Sequence, residues 1–285
     1  MSLSNPLDSR LHLGAELRRL RKAKGMTMRE VAAFLDCSEP RVSRLETGKL
    51  TGATLKAGEL RRLADLFGVH DRGTVDGLLQ LLAETEQTAW WEPYEDVMPS
   101  GMDSLLGLQT AATRERALET VLVHGLLQTP EYARAVLTEA GVHSPSAVER
   151  LVALRTRRPE VLHRAHKPLD LEVVLDEAAL RRPVGGPAVM RDQLAAVTRT
   201  AALPNVTVLV VPLERGAHAG LSGAFSLFEV GDQPPVVYVD SPAGNLLLHK
   251  DRDVEQLDGI YQRVRAKALD PEESLRLITR AIEET

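Results

Sequence analysis

The sequence predicts two differently built parts: an all-α domain of five short helices, then an α/β or α+β domain with a small sheet flanked by helices. Three observations lead to this fold class. Apolar residues recur at helical spacing in the first part. Short β-branched runs bounded by Gly, Pro and Asp follow Pro168. The 285 residues suffice for two or three domains. We expect a first domain at 1–88, a linker or docking segment at 89–109 and a second domain at 110–285.

Start and stop signals define the first, fourth and fifth helices. Leucines recur at helical spacing in "LHLGAELRRLRKAKG", and Gly25 is expected to end that helix as its C′ residue. Thr54 is the expected N-cap of "LKAGELRRLADLFG", which Gly68 closes. The segment "TVDGLLQLLAETEQ" makes the fifth helix. Together with the two helices between Thr27 and Gly48, these elements form a compact helical domain.

The second and third helices have the spacing of a helix-turn-helix. Thr27 and Glu30 form a T-x-x-E capping box that opens the second helix. Ser38 is the expected N-cap of the third helix, with Pro40 in its first turn, where a missing N–H costs nothing. Ala32 is small enough for the two helices to cross closely. The apolar residues expected to pin the pair are Val31, Leu35, Val42 and Leu45.

A helix-turn-helix presents the other side of its second helix to the major groove of DNA. The residues expected on that side are Glu39, Pro40, Arg41, Ser43 and Arg44. An arginine can pair with guanine O6 and N7, and Glu39 can accept from a cytosine amino group, each worth about 1–3 kcal/mol of discrimination. Glu39 can also compensate the helix dipole, and Pro40 either touches a thymine methyl or fixes the helix start. The pattern favours a half-site that contains G·C pairs.

Charge is distributed unevenly along the chain. The net charge is −5, yet residues 1–72 carry 14 Lys and Arg against 9 Asp and Glu, and the remainder carries 21 against 31. A basic head on an acidic body is expected if only the head meets phosphate. We expect no membrane span and no signal peptide. The single Cys37 excludes an internal disulfide, and the chain is therefore expected to be cytoplasmic.

Residues 14–68 resemble the Xre/Cro type of phage-repressor helix-turn-helix domain, whose consensus runs close to "LTQEELAxxLGVSxxxISxxExG". The matching positions in "MTMREVAAFLDCSEPRVSRLETG" are Thr27, Glu30, Ala32, Leu35, Ser38, Ser43, Glu46 and Gly48. The resemblance implies a lambda-repressor-like fold and double-stranded DNA as a partner. Met28 stands where many relatives have a phosphate-binding glutamine, so Thr27 and Arg29 are the expected substitutes. Lys49 completes the expected set of DNA contacts.

Four β-branched runs indicate strands in the second part: "LDLEVVL", "VTVLVVPL", "AFSLFEV" and "PVVYVD". The intervening "PAVMRDQLAAVTRTAAL" has a suitable length for the helix of a β-α-β crossover. The chain from Thr110 to the first of these strands reads as helical. Two amphipathic helices close the sequence.

Roughly residues 89–280 resemble the C-terminal domain of a large actinobacterial family of WhiJ-like regulators. The segments that carry the resemblance include "LLQTPEYARAVL", "VERLVALRTRRP", "VVLDEAALRRPVGGPAVMRDQLAAV" and "LPNVTVLVVPLERGAHAGLSGAFSLFEV". In that family an Xre-type head is joined to a Scr1-family toxin–antitoxin-like domain. The resemblance implies transcription regulation with a body that senses a ligand or binds a small protein encoded nearby.

Six residues outside the first domain are candidate ligand or partner contacts: Trp90, Trp91, Asp176, Glu177, Arg181 and His218. Paired carboxylates can do acid–base chemistry, but a salt-bridged helix start is the commoner role. The glycine-rich loop 216–223 lacks the spacing of a phosphate-binding motif. The adjacent tryptophans are expected to dock into a neighbouring core. We expect no catalytic site, no metal site and no cofactor.

These observations predict a DNA-binding transcription regulator. One helix-turn-helix contacts only one half-site, so we expect a homodimer on a near-palindromic operator, modulated through the second domain by a ligand or a small protein partner. The alternative is an antitoxin-like interaction protein that captures a small partner and whose DNA binding is autoregulatory. A small-molecule receptor is a third possibility, and an enzyme is not expected.

Overall fold

The computed structural model describes residues 6–48, 55–85, 89–141, 144–165, 167–231, 233–241 and 245–285. The chain divides into two compact units, Met1–Glu92 and Pro93–Thr285. Within the described ranges, no helix is both long and apolar enough to cross a membrane.

The first unit is all-α, as predicted. Its described helices are α1 (Pro6–Ala23), α2 (Met28–Phe34), α3 (Glu39–Glu46), α4 (Ala57–Phe67) and α5 (Arg72–Thr85). All five contribute to one apolar core, whose buried members include Leu17, Val31, Val42, Leu63 and Leu78. The helical periodicity read from the sequence therefore corresponds to the faces that meet in this core.

The predicted capping box is present at the start of α2. The Thr27 hydroxyl accepts from the Glu30 N–H at 3.2 Å, and the Thr27 N–H donates to the Glu30 carboxylate at 2.7 Å. Gly25 and Gly68 have φ values of 72° and 77°, the left-handed conformation that ends helices and favours glycine. The capping box and the helix-ending glycines could be predicted from the sequence because each depends only on local backbone geometry.

Two predicted caps differ in the structure. Ser38 is the N-cap residue of α3, but its side chain makes no capping hydrogen bond. Pro40 occupies a position whose N–H such a hydroxyl usually binds, and the Arg41 N–H donates instead to the Ser38 carbonyl at 2.9 Å. Helix α4 begins at Ala57 with Lys56 as its N-cap residue, and the expected cap Thr54 lies outside the described residues.

The second unit combines a mixed sheet with helices. Its described helices are α6 (Met102–Ala111), α7 (Pro130–Glu139), α8 (Pro145–Arg157), α9 (Glu177–Arg181), α10 (Pro187–Thr200), α11 (Asp251–Arg265) and α12 (Pro271–Glu284). Its strands are β1 (Arg114–Glu119), β2 (Asp170–Asp176), β3 (Val206–Val211), β4 (Phe225–Glu229), β5 (Val236–Val239) and β6 (Leu246–Leu248). The second unit also contains 3-10 turns at Gly125–Leu127, Arg158–His163 and Leu213–Arg215.

The strand order is β3-β2-β1-β4-β5-β6. The β3-β2-β1 half is parallel, and β4, β5 and β6 pair antiparallel. The predicted crossover helix is α10, which connects the parallel strands β2 and β3. One face of the sheet packs on α6, α7, α10 and α12, and the other face packs on α11. The unit is therefore a sheet covered by helices on both faces.

The central strand β1 was missed by the sequence analysis, which read its region as helical. The segment "RERALE" contains no β-branched residue and two arginines and two glutamates, a composition typical of helices. Strand pairing on both sides overrides that local preference. The short β6 was also missed. Residues 89–109, expected to be a linker or docking segment, contain a 3-10 turn and most of α6, and the second compact unit begins at Pro93.

Candidate nucleic-acid interface

A buried ion pair fixes the C-terminal end of α3. The Arg21 guanidinium of α1 holds the Glu46 carboxylate through two bonds, Nε–Oε1 at 2.5 Å and Nη2–Oε2 at 2.8 Å. Its third nitrogen, Nη1, donates to the Met26 carbonyl at 2.8 Å. Both side chains are about nine-tenths buried, with 10% and 7% exposed. This pair ties α1, the turn before α2 and α3 together; the sequence offered only the match of Glu46 to a consensus.

Close backbone contact also holds α3 in place. A Cβ atom at Gly14 of α1 would lie 2.5 Å from the Leu45 carbonyl oxygen and 3.0 Å from the Glu46 carbonyl carbon. Ala32, the small residue expected where α2 and α3 cross, is buried, as are Val31 and Val42. The orientation of α3 is thus determined by contacts that leave no room for larger side chains.

The outward side of α3 carries most of the predicted base-reading residues. Val42 faces the core and Glu46 faces Arg21, and successive residues turn by about 100° in a helix. Pro40 and Arg44 consequently lie at the centre of the outward side, where both are exposed, with Ser43 and Glu39 beside them. In the described part of the chain, the Arg44 guanidinium has no hydrogen-bond or ion-pair partner.

Arg41 differs from Arg44 because it has a protein partner. It lies on the flank of α3, half-buried, and its Nη2 is 3.3 Å from Oε1 of Glu59 on α4. Partial burial raises the pKa of Glu59, but the Lys56 N–H and the Arg41 charge outweigh this effect, so its pKa lies below the usual value. Arg41 must exchange this carboxylate for any base or phosphate that it contacts.

The start of α2 contributes the other expected contacts. Thr27, Met28 and Arg29 are exposed side by side. The Thr27 hydroxyl is committed to Glu30, to which it donates at 2.8 Å, whereas the Arg29 guanidinium makes no bond to the described residues. Lys49, the last expected DNA contact, lies outside the described residues.

Asp176 and His218 form a buried pair in the second unit. The Asp176 carboxylate accepts from the Ala178 N–H at 2.7 Å and from Nε2 of His218 at 2.9 Å. The other ring nitrogen, Nδ1, accepts from the Gly220 N–H at 3.2 Å. Both imidazole nitrogens are therefore occupied, and the pair anchors the loop 216–223 to the end of β2 instead of offering a base.

Glu177 and Arg181 make a salt-bridged helix start. One Glu177 oxygen accepts from Arg181 Nε at 2.8 Å, and the other accepts from the Leu213 N–H at 2.9 Å. Arg181 also pairs with Glu284 of α12. These bonds connect α9, the turn after β3 and the last helix, which is a structural arrangement.

The two tryptophans contact each other edge to face, with ring centroids 5.6 Å apart and an interplanar angle of 85°. The Trp91 side chain is buried. An edge-to-face pair of this kind favours a fixed arrangement of both rings. That the pair docks into a neighbouring core to transmit a signal stays a prediction.

Sequence reasoning missed a buried polar network centred on Glu115 of β1. His124 Nε2 lies 3.1 Å from one Glu115 oxygen, and Gln109 Nε2 donates to the other at 3.0 Å. Arg158 Nε donates to Gln109 Oε1 at 3.0 Å. Burial raises the pKa of Glu115, but the charge and hydrogen bond of His124, with the Gln109 bond, outweigh it and hold the pKa below the usual value. No sequence signal could have found this network while β1 was read as helical.

Metal binding has no geometric support in the described ranges, where no three His, Cys, Asp or Glu side chains lie close enough to share an ion. The predicted DNA-binding residues among those described are brought together on α2 and α3. Their setting, an exposed helix side held by two other helices, is that of a recognition helix.

Comparison with known families divides the chain in the same way. A family model described as a helix-turn-helix domain matches residues 12–78, and one described as a domain of unknown function (DUF5753) matches residues 102–280. No curated protein and no solved structure matches the chain. The helix-turn-helix domain supports a DNA-binding regulator. Because the second match spans more than half of the sequence, the chain belongs to the family of the domain of unknown function DUF5753.

Proposed function

We propose that this chain is a sequence-specific transcription regulator of the Xre/Cro type that acts in the cytoplasm by binding DNA, and that it is not an enzyme. The single observation that carries the proposal is the outward side of α3. It presents Pro40, Ser43 and Arg44, the last without a partner among the described residues, on a helix that α1 and α2 hold rigidly. Rigid presentation matters because base recognition depends on bonds with fixed directions.

Arg44 is the principal base reader in this proposal. Its fork of donors suits guanine O6 and N7, and among the described residues nothing competes for it. Glu39 accepts from a cytosine amino group, and its negative charge lowers the affinity for DNA that lacks the cognate sequence. Arg29, at the start of α2, binds phosphate in place of the glutamine common in such domains. These roles predict a half-site with at least one G·C pair.

One recognition helix reads only one half-site, so the regulator binds as a homodimer to a near-palindromic operator with half-sites about one helical turn apart. The second unit, which resembles a Scr1-family toxin–antitoxin-like domain of WhiJ-like regulators, modulates this binding. Its input is either a small ligand or a small protein partner.

The test is fluorescence anisotropy with a duplex of the gene's own upstream region and a scrambled duplex, at two salt concentrations. Arg44→Ala is expected to cost about 1–3 kcal/mol on the specific duplex and much less on the scrambled one. Arg19→Ala is the matched control, because Arg19 is an exposed arginine of α1 that already pairs with Glu16. Equal losses in both variants, or equal binding to both duplexes, would reject α3 as the reader.

Partner capture is the second candidate function, and exposed apolar residues favour it. In the second unit the large apolar side chains exposed in the described ranges are Val121, Leu213, Leu221 and Leu246. All four lie at the end of the sheet where β1, β3 and β5 finish and where β4 and β6 begin, with Leu213 beside one outer strand and Leu246 in the other. A protein partner that covers this end of the sheet would bury all four apolar side chains. Co-expression with the small protein encoded next to the gene, followed by size-exclusion chromatography, tests this candidate; Leu213→Asp and Leu221→Asp should abolish a genuine complex.

A further inference from the structure

A group of polar side chains lies where the strand order of the second unit reverses. The chain runs from β1 outward to β2 and β3, and then returns to place β4 on the other side of β1. In sheets with parallel strands, ligands commonly bind beyond the carboxyl ends of the strands at such a reversal. The carboxyl end of β1 is Glu119, and no predicted function has used the residues around it.

Small and polar residues form the floor of this region. Ala117 of β1, Ser226 of β4 and Tyr238 of β5 are directly paired across the three strands, so all three side chains are on one face of the sheet. Continued by two residues, the same register brings Glu119, Ala224 and Asp240 into the next row. Farther from this end of the sheet, the same face carries Phe228 and Val236, which belong to the apolar core.

Arg158 lies in the 3-10 turn that follows α8, and its charge acts on Glu119 of this floor. The residue is only 6% exposed, and its Nε is bound to Gln109. Its two terminal nitrogens make no hydrogen bond to any residue that the structure describes. The guanidinium lies against Gly125, where a Cβ atom would come within 2.8 Å of Nη1 and 2.9 Å of Nη2. Glycine at 125 therefore makes room for a buried arginine whose terminal donors remain available.

Arg155, one turn earlier on α8, is a second arginine on this side. Its Nη1 donates to Gln128 Oε1 at 3.2 Å, but its buried Nε has no partner in the described part of the chain. Burial, together with repulsion from the neighbouring Arg158 charge, lowers the pKa of Arg155 to about 10. A buried guanidinium with a partly buried one beside it is unfavourable, and each further anion that reaches the pair stabilises it.

The floor also has polar groups that make no hydrogen bond to the described residues. Within the described residues, the Glu119 carboxylate, the Ser226 hydroxyl and the Tyr238 hydroxyl make no hydrogen bond, although Ser226 and Tyr238 are 8% and 5% exposed. Burial lowers the pKa of Arg158, and the charges of Glu115, Tyr238, Glu119 and Asp240 oppose this effect. The acidic floor and the basic helix side are therefore within electrostatic reach of each other. We call these six residues (Glu119, Arg155, Arg158, Ser226, Tyr238 and Asp240) the switch-point cluster.

We propose that the switch-point cluster binds a small zwitterion, with its anionic group on Arg155 and Arg158 and its ammonium group on Glu119 and Asp240. The arginines on one side and the carboxylates on the other favour a ligand that carries both charges. The two unbonded terminal nitrogens of Arg158, with the Arg155 charge beside them, match a carboxylate. A plain anion, however, would also meet Glu119, Asp240 and the nearby Glu115, whereas a ligand carrying both charges satisfies both sides. The Ser226 and Tyr238 hydroxyls, one row from Glu119 and Asp240 on the same face, bond to the polar atoms of the ligand.

That this ligand changes DNA binding rests on the proposed function, but that the ligand binds the protein does not. If the second unit modulates the regulator, the zwitterion is the small-molecule input. We therefore test binding on the full chain without DNA, so that failure of the DNA-binding proposal leaves this test intact.

The experiment is isothermal titration calorimetry with the ω-amino acids glycine, β-alanine, 4-aminobutyrate and 6-aminohexanoate at millimolar concentration. The members differ in the length of the chain between the ammonium and the carboxylate group, so the tightest binder reports the distance between the two charged sides of the cluster. Acetate and methylammonium carry one charge each and serve as the comparison. We expect one member of the series to bind saturably and at least about tenfold more tightly than either single-charge probe, because only that member engages both sides. If no member binds, or if acetate binds as tightly as the best of them, the proposal is overturned.

Two variants remove groups that have no partner among the described residues, so that the fold should be unaffected. Glu119→Gln and Tyr238→Phe are each expected to weaken the best zwitterion about tenfold or more. Glu139→Gln, at an exposed glutamate of α7, is the matched control and should bind as the wild type does. Unchanged affinity in Glu119→Gln would contradict the assigned ammonium site. Addition of the same zwitterion to the protein–operator complex then reports separately on regulation.

Discussion

Single side chains decide how much positive charge the recognition helix offers to DNA. On the outward side of α3, Arg44 has no partner within the part of the chain that the structure describes, whereas Arg41 already faces the Glu59 carboxylate at 3.3 Å. A half-buried ion pair of this length contributes little to stability, but in the proposed complex Arg41 must leave it to contact DNA. The sequence identified both arginines and could not distinguish them, because the partner of Arg41 lies 18 residues away on another helix.

Glu59→Gln is expected to strengthen binding to non-cognate duplex several-fold at low salt, because it frees Arg41 and removes one negative charge. The variant amide can still accept from the Lys56 N–H, which the carboxylate now does at 2.9 Å, so α4 keeps its cap. Anisotropy against a scrambled duplex measures the gain. Glu16→Gln on α1 removes the same charge without touching Arg41; an equal gain there would mean that only net charge counts.

Glu119 makes the stability of the second unit depend on pH. Burial, assisted by the Glu115 and Asp240 charges against those of His124 and Arg158, raises its pKa from 4.5 to about 7. A raised pKa means that the folded state holds the proton more tightly than the unfolded state does. The stabilisation that the protonated Glu119 gives is therefore complete below the unfolded pKa and is lost as the pH rises through about 7. In Glu119→Gln the side chain stays neutral, so this variant has no such loss.

We therefore expect Glu119→Gln to be more stable than the wild type by on the order of 1–3 kcal/mol at pH 8. This advantage should shrink steadily toward pH 5. Urea unfolding of both proteins at the two pH values measures the difference. A pH-independent difference would show that Glu119 titrates normally in the folded protein.

Elements show where local sequence suffices and where it does not. Helices α1 to α5 follow from periodicity and from local signals such as Thr27 and Gly68, since their backbone bonds close within each segment. Strand β1 does not, because "RERALE" becomes a strand only through its partners β2 and β4. Glu115 is tolerable on it only because Gln109 and His124 bond to its carboxylate. The switch-point cluster was therefore invisible in the sequence, whereas the reading helix was not.

The packing of α1 on α3 gives a test at this scale. Gly14→Ala would place a methyl group 2.5 Å from the Leu45 carbonyl oxygen, so the two helices must separate. We expect a loss of about 1–3 kcal/mol in the free energy of unfolding and weaker operator binding as α3 shifts. Gly58→Ala on α4 is the control, because its added methyl meets nothing within 4 Å and should be neutral or slightly stabilising. Equal effects of both substitutions would exclude close packing as the cause.

At the scale of the whole molecule, the two units differ in core and in charge. The first unit has its own apolar core, and the second has one on each face of its sheet. Residues 93–285 carry 21 Lys and Arg against 27 Asp and Glu, and the excess of basic residues is confined to residues 1–72. The composition of the complete chain, with its net charge of −5, therefore conceals the part suited to DNA.

This division predicts how salt acts on binding to DNA. The excised segment 1–92 and the full chain should give the same slope of log K against log salt on a non-cognate duplex that is just long enough for one head. Each phosphate contact contributes about −0.9 to that slope, and in our proposal only the first unit makes such contacts. The excised segment should bind more tightly at low salt, because the acidic unit no longer repels the duplex.

That difference should disappear near 1 M salt, where the screening length falls to about 3 Å. Anisotropy titrations over a range of salt concentrations measure both quantities. A steeper slope for the full chain would show that the second unit also meets phosphate, and the acidic body would then have to be counted as part of the DNA-binding surface.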